Sequence, residues 1–416
     1  MAIATTQDVR GAVDRAMARA KITDIHTHLY APCFGDLLAW GVDELLTYHY
    51  LIAEFFRQSD LPYEAFWAMS KREQADAIWK TLFIDTSPLS EATRGVVTVL
   101  HELGLDVGRR NLNEIRKYFA KQSREEYIDV VFKKAGLTDC VMTNDPFDDA
   151  ERPVWLKGYR ADSRFKAALR IDPVLLGWSK AWKRLQEWGY KVEHRLTPKT
   201  LKEIQRFFRE WAKRTGGLYV GVSLPPTFAM PEKSVTAQIL ERSLLPVCEE
   251  MNLPLALMIG VKRQVNPQLR MAGDGMGRGS VEAVEYLCSK YPKNKFMVTM
   301  LSRENQHQLC VAARKFRNLL AFGCWWFVNN PSIIDEMTRE RLELLGTSII
   351  PQHSDARVID QVIYKWSHSK RIIGDVLVEK YGDLVSSGWA LEEGDVQRDV
   401  DRLFGGNFWS FLEKKL

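Results

Sequence analysis

Eight short runs rich in apolar and β-branched residues recur along the chain, at residues 22–28, 139–143, 167–171, 218–223, 254–260, 295–300, 319–324 and 347–352. From the second onward, helix-length segments fill most of the gaps, at 201–214, 237–250, 280–291, 305–316 and 332–345 among others. A parallel pair of strands needs a long crossover, usually a helix, so this alternation predicts a parallel sheet. Eight such units predict an α/β fold, a closed (β/α)8 TIM-like barrel.

The first gap breaks the pattern. About 110 residues separate the first two runs, and apolar residues at three- and four-residue spacing recur within it at 42–57, 63–82 and 90–103. We read residues 36–138 as a helical insertion capping the mouth of a barrel built from 1–35 and 139–416. The alternative is an independent helical domain.

The ends of the runs carry the polar residues. The first closes with Asp24-Ile25-His26-Thr27-His28. Side chains two apart on a strand share a face, so His26 and His28 point the same way and can share one divalent cation. The alternative is a polar, exposed strand end. Barrel active sites lie at the C-terminal ends of the strands. The eighth run leads into His353-Ser354-Asp355-Ala356-Arg357, and in a closed barrel it lies beside the first. Asp355 can then complete a His2Asp site, and three protein ligands with open positions suit a catalytic metal. Otherwise Ser354 or Asp355 is a helix cap. His353-Ser354-Asp355 is no serine-protease triad, because consecutive residues point in different directions and no GxSxG elbow is present.

Arg170 closes the third run, where a guanidinium can grip a carboxylate in two-pronged fashion or serve in a surface ion pair. Asn144 and Asp145 read as turn chemistry before Pro146. Gly273, Gly275, Gly277 and Gly279 lack phosphate-loop spacing and read as a flexible loop over the site. Trp325 and Trp326 suit core packing or sugar stacking.

Composition removes other classes. Lys and Arg total 58 against 53 Asp and Glu, and a net +5 on 416 residues is too weak for a dedicated nucleic-acid binder. Six scattered cysteines form no CxxC pair, and neither a signal-peptide core nor a membrane-length apolar stretch appears. A cytoplasmic protein with reduced thiols and no membrane partner is expected.

Taken in order, the motifs resemble those of the uronate (glucuronate) isomerases in the amidohydrolase superfamily. They are DIHTHL at 24–29, His49-Tyr50 within LLTYHYLIAE, TNDPFDD at 143–149, LRIDP around Arg170, GCWWF at 323–327, HSDAR at 353–357 and NFWSF near the C-terminus. Asn144 replaces one aspartate of the family's T-D-D-P segment, and Asp355 and Arg357 align with its T-D-S-R. Many members carry a histidine on the fifth strand; Met258 stands there in this chain, and Val298-Thr299-Met300 on the sixth also lacks one. A binuclear site is therefore not expected, and the chain looks like a divergent branch.

The resemblance implies an aldose–ketose isomerase. It would convert D-glucuronate to D-fructuronate, or D-galacturonate to D-tagaturonate, through an enediolate. One divalent metal of zinc size would sit on His26, His28 and Asp355. Asp355 would also be the base, with His49 and Tyr50 polarising oxygens or assisting ring opening. Arg170 and Arg357, in either order, would hold the substrate carboxylate and a developing oxyanion, and Trp325 would line the sugar. The partner is a small hexuronate, and a homo-oligomer is expected. Two alternatives stand beside this reading: a mononuclear metal-dependent hydrolase, and a barrel that binds sugar acids without turnover.

Overall fold

The computed structural model describes residues 2–3, 5–158 and 162–416. Seven strands form one sheet: β1 Ile22–Thr27, β2 Leu137–Asn144, β3 Phe165–Arg170, β4 Val220–Leu224, β5 Leu255–Ile259, β6 Phe296–Met300 and β7 Leu319–Ala321. Each pairs in parallel with its neighbour in sequence. Parallel strands covered on both faces read as unbroken apolar runs, and every residue of β5 and β6 is buried.

The eighth run departs from expectation. It makes a single bridge, Phe322 to Ile350, and no regular strand. Pro351 has no N–H to donate, and Asp355 takes φ +53°, which turns the chain out of the extended conformation. The segment nevertheless closes the sheet. Gly323 N–H donates to Ile350 O at 2.7 Å on one side, and on the other Asp355 N–H donates to His26 O at 3.2 Å and His28 N–H to Ala356 O at 2.8 Å.

The helices that matter for the site are α1 Thr6–Arg19, α2 His49–Phe56, α3 Glu91–Glu102, α4 Pro198–Thr215, α5 Pro331–Leu345 and α6 Gln361–Ser386. α4 shows how local sequence sets their ends. The Thr197 hydroxyl accepts from Thr200 N–H at 3.2 Å, Pro198 fills the first turn, and Gly216 at φ +62° ends the helix. The helix expected at 237–250 is split by a π-turn at Leu240–Leu244, just ahead of Pro246. In the first gap, the pattern at 63–82 breaks where Ser70 and Glu73 form a capping box that starts a new helix. The pattern at 42–57 resolves into Val42–Leu46 and α2.

The helices of this gap do not stand apart. Leu45, Leu51, Phe66 and Val99 belong to one apolar cluster with Ile22, Met142 and Ile373. α3 crosses α6 at Gly95, where an added Cβ would lie 2.6 Å from the Tyr364 ring. The barrel interior is filled by Ile25, Val141, Ala168, Tyr219, Ala256, Met258 and Met297. Phe408 and Phe411 of the C-terminal helix join that cluster, and Lys295, just ahead of β6, donates to Leu412 O at 2.6 Å. The C-terminal helix therefore seals the N-terminal end of the barrel. Among the described residues no helix is long and apolar enough to cross a membrane, and all six cysteines are unpaired.

The loop with alternating glycines is closely packed. Residues Val261–Lys262 and Gly275–Met276 form a small antiparallel ribbon. A Cβ at Gly273 would lie 1.9 Å from Asn266 O, so these glycines permit close approach of backbone. The loop grips the helical segment through Trp67, whose indole N–H donates to Gln268 O at 2.9 Å while Arg270 lies 4.2 Å over its ring.

Candidate metal centre

β1 ends with His26 and His28 on one side, and the eighth segment brings Asp355 against them. His26 Nε2 and His28 Nε2 lie 3.5 and 3.4 Å from Asp355 Oδ1. The three residues offer ligand atoms all within 4.8 Å of one another. Asp355 Oδ1 is buried without a hydrogen-bond partner among the described residues. Burial, then the nearby Arg357 guanidinium, drives the His28 imidazole down to about 3, so it is neutral. Two imidazoles and a carboxylate converging on one point fit a divalent cation. Met258 lies buried in the barrel interior among apolar side chains.

The other nitrogen of each imidazole meets a hydroxyl. His26 Nδ1 lies 3.1 Å from the Tyr219 hydroxyl and His28 Nδ1 lies 3.0 Å from the Thr143 hydroxyl. Tyr219 did not stand out in the sequence, and Thr143 did so only as the first residue of TNDPFDD, with no role of its own. Asp24, one side-chain repeat before His26, is fully buried and accepts from Ser354 N–H at 3.0 Å and Trp366 Nε1–H at 2.8 Å. It ties the eighth segment to β1 and so fixes Asp355 beside the histidines.

His49 and Tyr50 open α2. The His49 ring is 5.9 Å from that of Trp326, and Tyr50 stacks on Phe327 at 6.2 Å. His49 Nε2 is buried without a hydrogen-bond partner among the described residues. Burial, then Arg357, holds this imidazole well below its ordinary range, so it is neutral. Burial, with the nearby Asp355 carboxylate, holds the Tyr50 phenol well above its ordinary range, so it keeps its proton. Trp325 packs in the barrel interior. Trp326 faces α2, with φ +49° and a buried indole N–H that has no partner among the described residues. A bulky side chain at positive φ is a strained position of the kind found at binding sites. The GCWWF motif alone does not distinguish the two tryptophans.

The arginines differ. Arg170 donates through Nε and Nη2 to the two oxygens of Asp172 at 3.0 and 3.1 Å. Arg357 has no carboxylate in ion-pair contact among the described residues.

No protein-family model matches the chain, and no curated protein matches it in sequence. Solved structures do. A uronate isomerase from Bacillus halodurans C-125 is 55% identical, with TM-score 0.97 over 99% of this chain and 97% of that one. The chain belongs to the uronate isomerase family. A uronate isomerase from Thermotoga maritima (16% identity, TM-score 0.77, 97% of each chain covered) shares the fold. So does a glucuronate isomerase from Caulobacter crescentus, at 13% identity and TM-score 0.77 over 97% of this chain and 94% of that one. Uronate isomerase architecture thus persists where most of the sequence has changed.

Proposed function

We propose that this protein interconverts a hexuronate aldose and its ketose, D-glucuronate with D-fructuronate or D-galacturonate with D-tagaturonate. The observation that carries the reading is the convergence of His26, His28 and Asp355 beside Arg357, which has no carboxylate ion pair among the described residues, in a chain 55% identical to a uronate isomerase over 99% of its length. Family membership makes it an isomerase.

A proton must leave C2 and return to C1. The proton of an α-hydroxy aldehyde is only weakly acidic, and an isolated carboxylate is a weak base. His26, His28 and Asp355 would hold a divalent cation, zinc being the simplest choice for that donor set, and once bound it would supply Lewis-acid stabilisation of negative charge on the substrate oxygens. Asp355 is the only carboxylate in the cluster, and we assign it the transfer from C2 to C1. Tyr50, which keeps its proton, donates to a substrate oxygen. Neutral His49, with Nε2 free, exchanges a hydrogen bond with another and assists ring opening. Arg357 holds the carboxylate or the enediolate oxygen. Arg170 shapes the mouth through its Nε and Nη2 bonds to Asp172, and we assign its Nη1 to the substrate. Trp326 donates its free indole N–H to a sugar hydroxyl, and Trp325 backs it from the interior. The helical segment 36–138 roofs the site and excludes water, and residues 1–35 and 139–416 form the barrel. The protein works in the cytoplasm as a homo-oligomer.

Steady-state assays with both aldoses, before and after chelation and with zinc, manganese or cobalt restored, test this. Turnover of at least one uronate, lost on chelation and restored by metal, is expected. Hydrolysis of amides or lactones without isomerisation would support the hydrolase reading instead.

A further inference from the structure

Each histidine of the candidate metal centre has one ring nitrogen turned to Asp355 and the other held by a buried hydroxyl. We propose that Tyr219 and Thr143 are positioning residues: their hydroxyls fix both imidazoles as the Nδ1–H tautomer and keep both Nε2 lone pairs bare toward the metal. The inference rests on reading His26, His28 and Asp355 as a metal centre.

The argument is a count of protons. A phenol has one, and the Tyr219 hydroxyl donates it to Ile25 O at 2.9 Å. Its oxygen can then only accept from His26 Nδ1, 3.1 Å away. Thr143 repeats the arrangement. Its hydroxyl donates to Thr27 O at 2.8 Å and faces His28 Nδ1 at 3.0 Å. A neutral imidazole carries one N–H, so a proton fixed on Nδ1 leaves Nε2 free to ligate. Turning either hydroxyl to donate to its histidine would take this donor from a β1 carbonyl in a buried place, which is unfavourable. Tyr219 is 1% exposed and Thr143 7%.

The geometry has a common logic. Both carbonyls belong to β1, where the pairing register with β2 shifts between Asp24 and Thr27. The strand that carries the two histidines therefore also carries the acceptors that orient their partners. The hydroxyls arrive from different elements, Thr143 from β2 and Tyr219 from just ahead of β4 across the barrel interior. Neither adds charge, so both fix orientation without neutralising the cation. A carboxylate in the same place would do both. This matters because the fifth strand offers Met258 where a further imidazole would add affinity. A site of three protein ligands depends the more on each being ready to bind.

The test uses the full chain with and without metal, and the variants Tyr219→Phe, Thr143→Val and Thr143→Ser. Nitrogen NMR of histidine-labelled, chelator-treated protein reads the tautomers directly. Zinc affinity is read by competition with a chromophoric chelator. Wild type should show Nδ1–H at both histidines. Tyr219→Phe and Thr143→Val should each lose that signal at the facing ring and bind zinc about 10- to 100-fold more weakly. Thr143→Ser, which keeps the hydroxyl, should restore both. Melting temperatures of the metal-free variants verify folding, and if Tyr219→Phe fails to fold, the Thr143 pair carries the test. Nε2–H tautomers in wild type, or zinc affinity unchanged by either substitution, would overturn the proposal. Nδ1–H tautomers in a protein that binds no zinc would support the two locks and reject the metal reading.

Discussion

Arg170 and Arg357 carry the same charge at the same end of the barrel, yet their neighbours give them different work. Two nitrogens of Arg170 are committed to Asp172, while Arg357 meets no carboxylate in ion-pair contact among the described residues. A hydrogen bond to a charged group contributes about 1.5–3 kcal/mol, which is roughly ten- to hundredfold in kcat/KM. Arg357→Met is therefore expected to lower kcat/KM for uronates by at least that factor, with Arg357→Lys a poor rescue because it lacks the planar fork. Arg170→Met should show itself first as a lower melting temperature, since it leaves Asp172 without its cation. Equal kinetic losses with unchanged melting for both variants would contradict this division. The pairing of Arg170 was within reach of the sequence, because Asp172 stands two residues on in LRIDP. The roles of Tyr219 and Thr143 were not, for they depend on contacts 193 and 115 residues apart.

At the scale of elements, the segment leaving β2 stores a pH dependence. Burial raises Asp145 to about 6 and Glu151 to about 7. Glu151 accepts from Tyr30, Asp145 N–H and Trp155 in a place without solvent. Both folded-state values lie above the unfolded ones of 3.8 and 4.5, so the folded chain holds protons that the unfolded chain releases. Their stabilisation is full below the unfolded values and is lost as pH rises through about 6 and then 7. Melting temperature measured from pH 4.5 to 8 should fall across that window, and Glu151→Gln should flatten the fall whatever its absolute stability. The contact of α3 with α6 gives a second expectation. Gly95→Ala forces a methyl against the buried ring of Tyr364 and should cost about 1–3 kcal/mol in denaturant unfolding, with a raised KM on the proposal that the segment carrying α3 roofs the site. Seven strands were legible because two-sided burial demands continuous apolar runs. The breaks at Ser70 and at the π-turn before Pro246 were not, because helical periodicity survives a cap or a bulge that interrupts the hydrogen bonds.

At the scale of the molecule, closure of the barrel and assembly of the site are one event. β1 and the eighth segment meet through a few backbone hydrogen bonds and through Asp24. Asp24→Ala removes the acceptor of two buried donors and should cost about 1–3 kcal/mol for each. Barrel topology made Asp355 readable as the partner of His26 and His28 across more than 300 residues of sequence, because in a closed ring the last segment must return to the first. The irregularity of that last segment was less readable, since Pro351 is a weak signal and the positive φ of Asp355 is no property of aspartate as such. That irregularity has a thermodynamic side. The eighth segment is the seam of the barrel, and His26 and His28 stand on one lip of it with Asp355 on the other. An ion held by all three would act as a staple across the join least reinforced by regular pairing. Metal occupancy and cohesion of the whole barrel are then linked, and chelation should lower the melting temperature, by a free energy that grows with free metal as RT ln(1 + [M]/Kd). Amide exchange should rise first at residues 350–356, before the interior strands β5 and β6 feel the loss.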